Sequence, residues 1–327
     1  MKNNQLSRYG AIAKALPFTF GKVFFVIDPD DAILPTVQET YPVDTDGVTR
    51  VYTSLASAYA ACTSGMNDVI VLDGNSTHVL TEMLDITKSR VHIIGLDYLL
   101  GDRRLYGQSS KISLTGAVAT DIHAVRNIGV RNSFSGIKFV ASNTATETTG
   151  AFGEGGEYTV FRNCSFEGAK LSTTGYADMV LNGDSTQFFD CTWGTTASPN
   201  VGDIIRPNII TTAGGVAGGA GSSKDILFRG CKFLKHAGGT TGVFVNITAA
   251  ADLTRGFMEF ENCSFIANKT GSVPAVAIRL GASLTASQVL LTGDTIAYNC
   301  TKVATGTGVL SGQPARVATA TIGIQAT

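Results

Sequence analysis

Four stretches of this chain superimpose without a gap: TVFRNCSF at 159–166, TQFFDCTW at 186–193, ILFRGCKF at 226–233 and MEFENCSF at 258–265. Each has Phe at the third place and Cys at the sixth, and each ends in Phe or Trp. Between the first aromatic and the cysteine stands Asn163, Asp190, Gly230 or Asn262, the residue types that take a left-handed backbone bend most cheaply. The frame predicts a strand, a one-residue corner and a second strand.

Three further stretches fit the frame without cysteine: VHIIGLDY at 91–98, NSFSGIKF at 132–139 and, more weakly, VLLTGDTI at 289–296. The cysteine slot is then filled by Leu96, Ile137, Cys164, Cys191, Cys231, Cys263 and Asp294. A period of roughly 25 to 30 residues with insertions of about ten is the mark of a solenoid whose loops vary in length. Short strands joined by single-residue corners predict a parallel β-helix, in which equivalent residues of successive coils stack about 4.8 Å apart. Phe161, Phe188, Phe228 and Phe260 should form one aromatic ladder, and Phe139, Phe166, Trp193, Phe233 and Phe265 another. Composition agrees with this all-β fold class. With 37 glycines, many Ser, Thr and Asn and only 16% charged residues, the 327-residue chain favours strands and turns over long helices.

For the cysteines the frame weighs against chemistry. A nucleophile needs exposure and a neighbouring base, and these four sit between inward aromatics with no histidine nearby in sequence. A zinc site needs four ligands converging on one point, whereas the outer members of a four-rung ladder lie about 14 Å apart. Disulfides between adjacent rungs stay open on distance alone; a stack of small apolar thiols is the favoured reading.

Residues 48–97, VTRVYTSLASAYAACTSGMNDVIVLDGNSTHVLTEMLDITKSRVHIIGLD, resemble the opening of right-handed parallel β-helix proteins of the pectate-lyase-like superfamily. There a short amphipathic helix caps the tube and a V-I-x-V-x-x-G strand follows. Tyr52, Leu55, Ala56, Tyr59 and Cys62 recur at helical spacing, with Thr53 or Ser54 as N-cap and Gly65 as stop, and Val69 to Leu72 make the first buried strand. The resemblance covers roughly 48–300. It implies fold and says little about activity, because enzymes and virion proteins share it. Residues 1–47 are expected as an N-terminal arm with a strand at 23–28, and 301–327 as a C-terminal cap or intersubunit segment that covers an open sheet edge.

A polysaccharide-cleaving β-helix needs two carboxylates about 5–9 Å apart, or a base beside metal-binding carboxylates. Asp178, Asp184, Asp203 and Arg206 are the candidates; Asn182-Gly183-Asp184 and Gly202-Asp203 also read as ordinary turns, and that reading is favoured. Asp28, Asp30, Asp31, Asp44 and Asp46 lack the later ligands of a calcium loop and read as a solvated acidic loop. His78, His92, His123 and His236 show no ligand spacing and are expected at the surface or rim. GGVAGGAGSS at 214–223 reads as a flexible loop.

The formal charge of −1 offers no field for nucleic acid. No membrane span, export signal, metal or cofactor is expected. The chain as a whole resembles a bacteriophage virion β-helix, which implies a capsid decoration or head spike, held to capsid or other virion proteins by its N-terminal arm, as a homotrimer made in the host cytoplasm. The alternatives are a tailspike-type depolymerase acting on host surface polysaccharide and a cellular β-helix that binds carbohydrate. The short chain, the sparse acidic residues and the single Trp weigh against the enzyme.

Overall fold

A computed structural model describes residues 21–41, 43, 47–74, 76–99, 110–115, 123–141, 150–168, 177–194, 206–211, 216, 219, 223–235, 242–247, 256–268, 274, 276–280, 288–300, 302–305, 309–312 and 316–318. Its strands form three sheets of eleven, nine and eight members, every pair parallel. The chain visits the sheets in rotation. One coil runs Val160–Arg162 in the first sheet, Ser165–Glu167 in the second and Met179–Leu181 in the third, and the next runs Gln187–Phe189, Thr192–Trp193 and Ile209–Thr211. This is a parallel β-helix.

The corner between the first and second sheets is a single left-handed residue at Gly136, Asn163, Asp190, Gly230 and Asn262, with φ between 49° and 66°. The corners stack by backbone hydrogen bonds, Asn163 N to Phe189 O at 2.9 Å and Asp190 N to Arg229 O at 3.0 Å. Inside, Phe134, Phe161, Phe188, Phe228 and Phe260 stack with ring centroids 4.7–5.0 Å apart. Phe139, Phe166, Trp193, Phe233 and Phe265 stack at 4.7–5.3 Å. Within a coil the ladders meet edge to face, as Phe188 does with Trp193 at 5.2 Å and 70°. Offset stacking along the axis and T-shaped contact across it both suit the ring quadrupole, so one lattice satisfies every ring.

Two frame assignments are corrected. Gly95 is no corner: it ends the strand Val91–Gly95, and a one-turn helix, Leu96–Leu99, follows. A Cβ on Gly95 would lie 2.3 Å from Gly136 O, so close approach of the next coil, not a left-handed φ, demands glycine there. Leu96 therefore packs outside the tube, with Phe25, Val69 and Val71. At the other end the corner takes one extra residue. Gly293 bends with φ 59°, Asp294 is exposed, and Thr295 occupies the slot above Cys263, accepting from Cys263 N at 3.1 Å. Ala297, not Ile296, stands over Phe265.

The N-terminal end is closed by the helix Leu55–Ala61 (α2 below; Leu34–Thr40 is α1). Ser54 caps α2 by accepting from Ser57 N, and Leu55, Ala58 and Tyr59 face the core while Ala56 is exposed. Lys88 Nζ donates to the last carbonyls of α2, Tyr59 O, Ala60 O and Cys62 O, at 2.7–3.0 Å, as a cation at a helix C-terminus should. The strand expected at 23–28 is Val23–Val26, and it pairs with Asp68–Leu72 and with Val51–Tyr52, so the first sheet begins before the segment read as its first strand. α1 lays Val37 against Phe25, Val51, Val69 and Val71 on the outer side. Covered on both faces, Asp68–Leu72 shows no alternation of burial. At the far end Lys302–Thr305, Val309–Gly312 and Arg316–Ala318 each pair in parallel with the preceding coil, in the third, first and second sheets.

Candidate functional site

Of the carboxylates singled out in the sequence, Asp178 and Asp184 do not converge. Asp178 stands just before Met179–Leu181 and Asp184 three residues past it, so about 20 Å of extended chain separates them. Register sets Met179 beside Ile209, so Asn208 is the residue one coil above Asp178; Asp203 lies outside the described residues. Asp178 and Arg206 do meet. Arg206 Nη2 is 3.0 Å from Asp178 Oδ1, Gly168 N donates to the same oxygen at 2.8 Å, and Asn208 Nδ2 donates to Oδ2 at 2.6 Å. Lys235 Nζ donates to Arg206 O and lies 5.7 Å from the Phe244 ring centre. Burial pushes Lys235 down to about 7, with Asp178 opposing. Asp178, Arg206 and Lys235 expose 1%, 5% and 1% of their surface, so the ion pair and the amine beside it are buried. Asp184 pairs with Lys224 at 2.9 Å at the corner between the third and first sheets.

The acidic loop is built of turns. Asp28 Oδ1 accepts from Asp30 N at 3.0 Å and Asp31 Oδ1 from Ile33 N at 2.9 Å; Asp44 and Asp46 lie outside the described residues. This loop forms one wall of a pocket of about 340 Å³, lined also by Thr53 and Ser54 before α2 and by Thr77, His78 and Val79 of the second sheet. Behind it burial raises Asp73 to about 6; the hydrogen bond from Ser76 Oγ at 2.8 Å opposes that rise and the neighbouring Asp31 adds to it. Among the described residues no three His, Cys, Asp or Glu side chains are placed to hold a metal ion.

Two histidines expected at the rim are interior. His78 is buried with Nε2 3.4 Å from Asp73 O, and burial lowers its pKa. His123 is fully buried against Gly153, where a Cβ would lie 2.4 Å from the ring, and burial lowers it to about 3. His92 is half-buried, with Nδ1 2.7 Å from Ser133 Oγ; His236 lies outside the described residues. The stretch 214–223 is not wholly a free loop. Val216 packs on Ala177, Val180 and Ile210 outside the third sheet, and Ser223 Oγ donates to Leu181 O at 2.7 Å.

All six cysteines are free thiols and buried. Cys164, Cys191, Cys231 and Cys263 each donate to the carbonyl two residues back, at 3.4–3.5 Å. Burial raises Cys164 and Cys231 well above the usual thiol range and takes Cys62 and Cys300 to about 12. At Cys191 desolvation acts the same way, but hydrogen bonds from the Cys164 and Cys231 thiols outweigh it and lower the pKa to about 5.

One polar group inside the tube escaped the sequence reading. Glu154, fully buried, accepts from Asn127 Nδ2 at 3.1 and 3.0 Å, from Gly156 N at 2.9 Å and from Thr159 Oγ1 at 2.9 Å. Asn132 Nδ2 donates to Asn127 Oδ1 at 2.8 Å and to Lys88 O at 2.9 Å, and the second bond ties the network to the coil below. Burial pushes Glu154 up to about 8 against these donors. The signal was present: Asn127 and Glu154, like Asn132 and Thr159 and like Thr159 and Thr186, are 27 residues apart, the same step as Cys164 to Cys191.

Comparison with known proteins bears on fold. No family profile and no curated protein matches the chain. Among solved structures, pectate lyase Pel9A superimposes with TM-score 0.54 at 11% identity, over 85% of this chain and 64% of that one. Pectin methylesterase PemA from Erwinia chrysanthemi gives 0.52 at 14% identity, over 84% and 91%. ORF18 of Geobacillus virus E2 gives 0.51 at 12% identity, over 76% of this chain and 45% of that one.

Proposed function

Starting from the right-handed parallel β-helix of the pectate-lyase-like superfamily, which this chain shares with those structures, we propose that it is a structural protein of a bacteriophage virion. It serves as a capsid decoration or head spike, held to the particle through its N-terminal segment, as a homotrimer. The observation that carries this reading is the fate of the catalytic candidates. Asp178 and Arg206 neutralise each other in the interior, and Asp184 is tied to Lys224 at the far corner. Neither arrangement leaves a carboxylate pair across an open groove, which glycosidic cleavage requires. The likeness to a Geobacillus virus protein supports the virion setting.

The enzyme reading retains one observation in its favour, the buried Lys235 amine, whose pKa falls to about 7, the kind of shifted group that base catalysis uses. The test is to find the chain's density in a map of the particle and to incubate the purified protein with host surface polysaccharide. Density on the capsid with no cleavage supports the structural role. New reducing ends or unsaturated product that vanish in Asp178→Asn, with the fold intact by circular dichroism, would overturn it.

A further inference from the structure

The strand Thr77–Leu80 is the last member of the second sheet among the described residues, and only Ser110–Leu114 pairs with it. Lys111 N donates to Ser76 O and Thr115 N to Leu80 O. Backbone groups alternate sides along a parallel strand, so residues 76, 78 and 80 serve the existing ladder and those of Thr77 and Val79 point the other way. That other way is the 340 Å³ pocket, whose wall includes Thr77, His78 and Val79. Val79 is 56% exposed, a large apolar side chain on an open edge. Across the pocket stand Asp28 and Asp30, and among the described residues no Lys or Arg lines it.

An open edge with donors and acceptors in line takes a further strand, and the side-chain positions beside it set which strand fits. We propose that this pocket is a docking groove for an extended, basic polypeptide segment of a partner protein, which adds to the second sheet along Thr77–Leu80. Its backbone pairs with Thr77 and Val79, an apolar residue covers Val79, and a Lys or Arg on the opposite side reaches Asp28 and Asp30. The groove is defined by backbone and charge, so it stands whether or not the chain belongs to a virion. A strand added here extends the solenoid past its N-terminal cap without opening α2.

The test uses the full-length chain and a fluorescein-labelled peptide, acetyl-GKVKVKVG-amide, titrated by fluorescence anisotropy at low ionic strength. The expected result is saturable binding, at least tenfold weaker in the Asp28→Asn/Asp30→Asn double variant, whose amides keep the turn-forming acceptors and lose the charge. Val79→Pro removes an N–H that the existing ladder does not use, and should weaken binding to a similar degree with unchanged circular dichroism. Alternate N-methylation of the peptide should abolish binding to the unmodified protein, a control independent of any variant's folding. The Glu-for-Lys peptide should not bind. Equal binding of N-methylated and parent peptides would mean adsorption by charge alone and would overturn strand addition; absence of binding by the Lys peptide would overturn the groove.

Discussion

Replacing Glu154 by glutamine removes one titration from the middle of the tube and leaves a neutral side chain of the same shape. In the folded protein the carboxyl is fully buried and its pKa rises from 4.5 to about 8. Between these values the folded state holds a proton that the unfolded chain has released. Stability from this group is therefore complete below pH 4.5 and is lost as pH climbs through about 8. Each pH unit in the window changes stability by up to about 1.4 kcal/mol, so going from pH 5 to pH 8 costs on the order of 4 kcal/mol. Glu154→Gln should lack this slope, keeping contacts with Asn127, Thr159 and Gly156. Asp73, His78, His123 and Lys235 titrate in both proteins and cancel in the difference. The assay is guanidinium unfolding at pH 5, 6, 7 and 8, followed by the fluorescence of Trp193, the one tryptophan, which is fully buried in the aromatic ladder. Parallel pH profiles for the two proteins would refute the reasoning. They would mean that the three donors around the carboxylate outweigh its desolvation and that Glu154 is folded in as an anion.

Phe228→Ala removes a ring stacked on both sides, at 4.8 and 4.7 Å from its neighbours, and should cost about 3–5 kcal/mol by unfolding midpoint. Asn163→Val puts a β-branched residue at φ 49° and should cost about 1–2 kcal/mol or more, whereas Asn163→Gly should be nearly neutral in the same measurement. Arg206→Met leaves Asp178 as an uncompensated interior charge and should cost about 3–5 kcal/mol, while Arg206→Met with Asp178→Asn recovers much of the loss. The native protein should resist iodoacetamide at all six cysteines near neutral pH, and mass spectrometry should show alkylation only after denaturation.

How much of this was readable in the sequence follows from what each feature demands of residue type. The corner from Gly136 to Asn262 recurs as Gly, Asn or Asp because nothing else takes its φ cheaply, and the aromatic slots recur because each ring stacks on its own kind. A second left-handed corner precedes the first sheet, at Arg90, Arg131, Tyr158, Ser185 and Asp225, and it left no trace. Both corners stack by backbone bonds between coils, here Tyr158 N to Asp184 O at 2.9 Å, and the structure gives no reason why only the second accepts Arg, Tyr and Ser at the same φ. Gly95 misled because glycine answers two demands, positive φ and close approach. Asp294 misled because an ungapped frame cannot see an inserted residue. At the candidate site, Asp178 and Arg206 were both visible as chemistry-bearing residues, but only register brings Asn208 beside Asp178. Asp28 and Asp30 were visible as an acidic loop; that they face the free edge of Thr77–Leu80 depends on which strand ends the sheet, a property of the whole assembly.

The corner between the first and second sheets admits one residue at five successive coils, while the connection from the second sheet to the third runs from Glu167 to Met179 in one coil, from Trp193 to Ile209 in the next and from Lys235 to Val245 in the one after. Coil count and loop content are thus independent variables of the gene. An in-frame duplication or loss of the 27 residues from Cys164 to Asp190 changes the reach of the rod by one rung and leaves every ladder in phase. An insertion between the second and third sheets changes what the rod displays and leaves its length alone. A single residue added at the tight corner is the exception that shows the rule, tolerated at Gly293–Asp294 near the end of the stack, where few rungs remain above it to be thrown out of step.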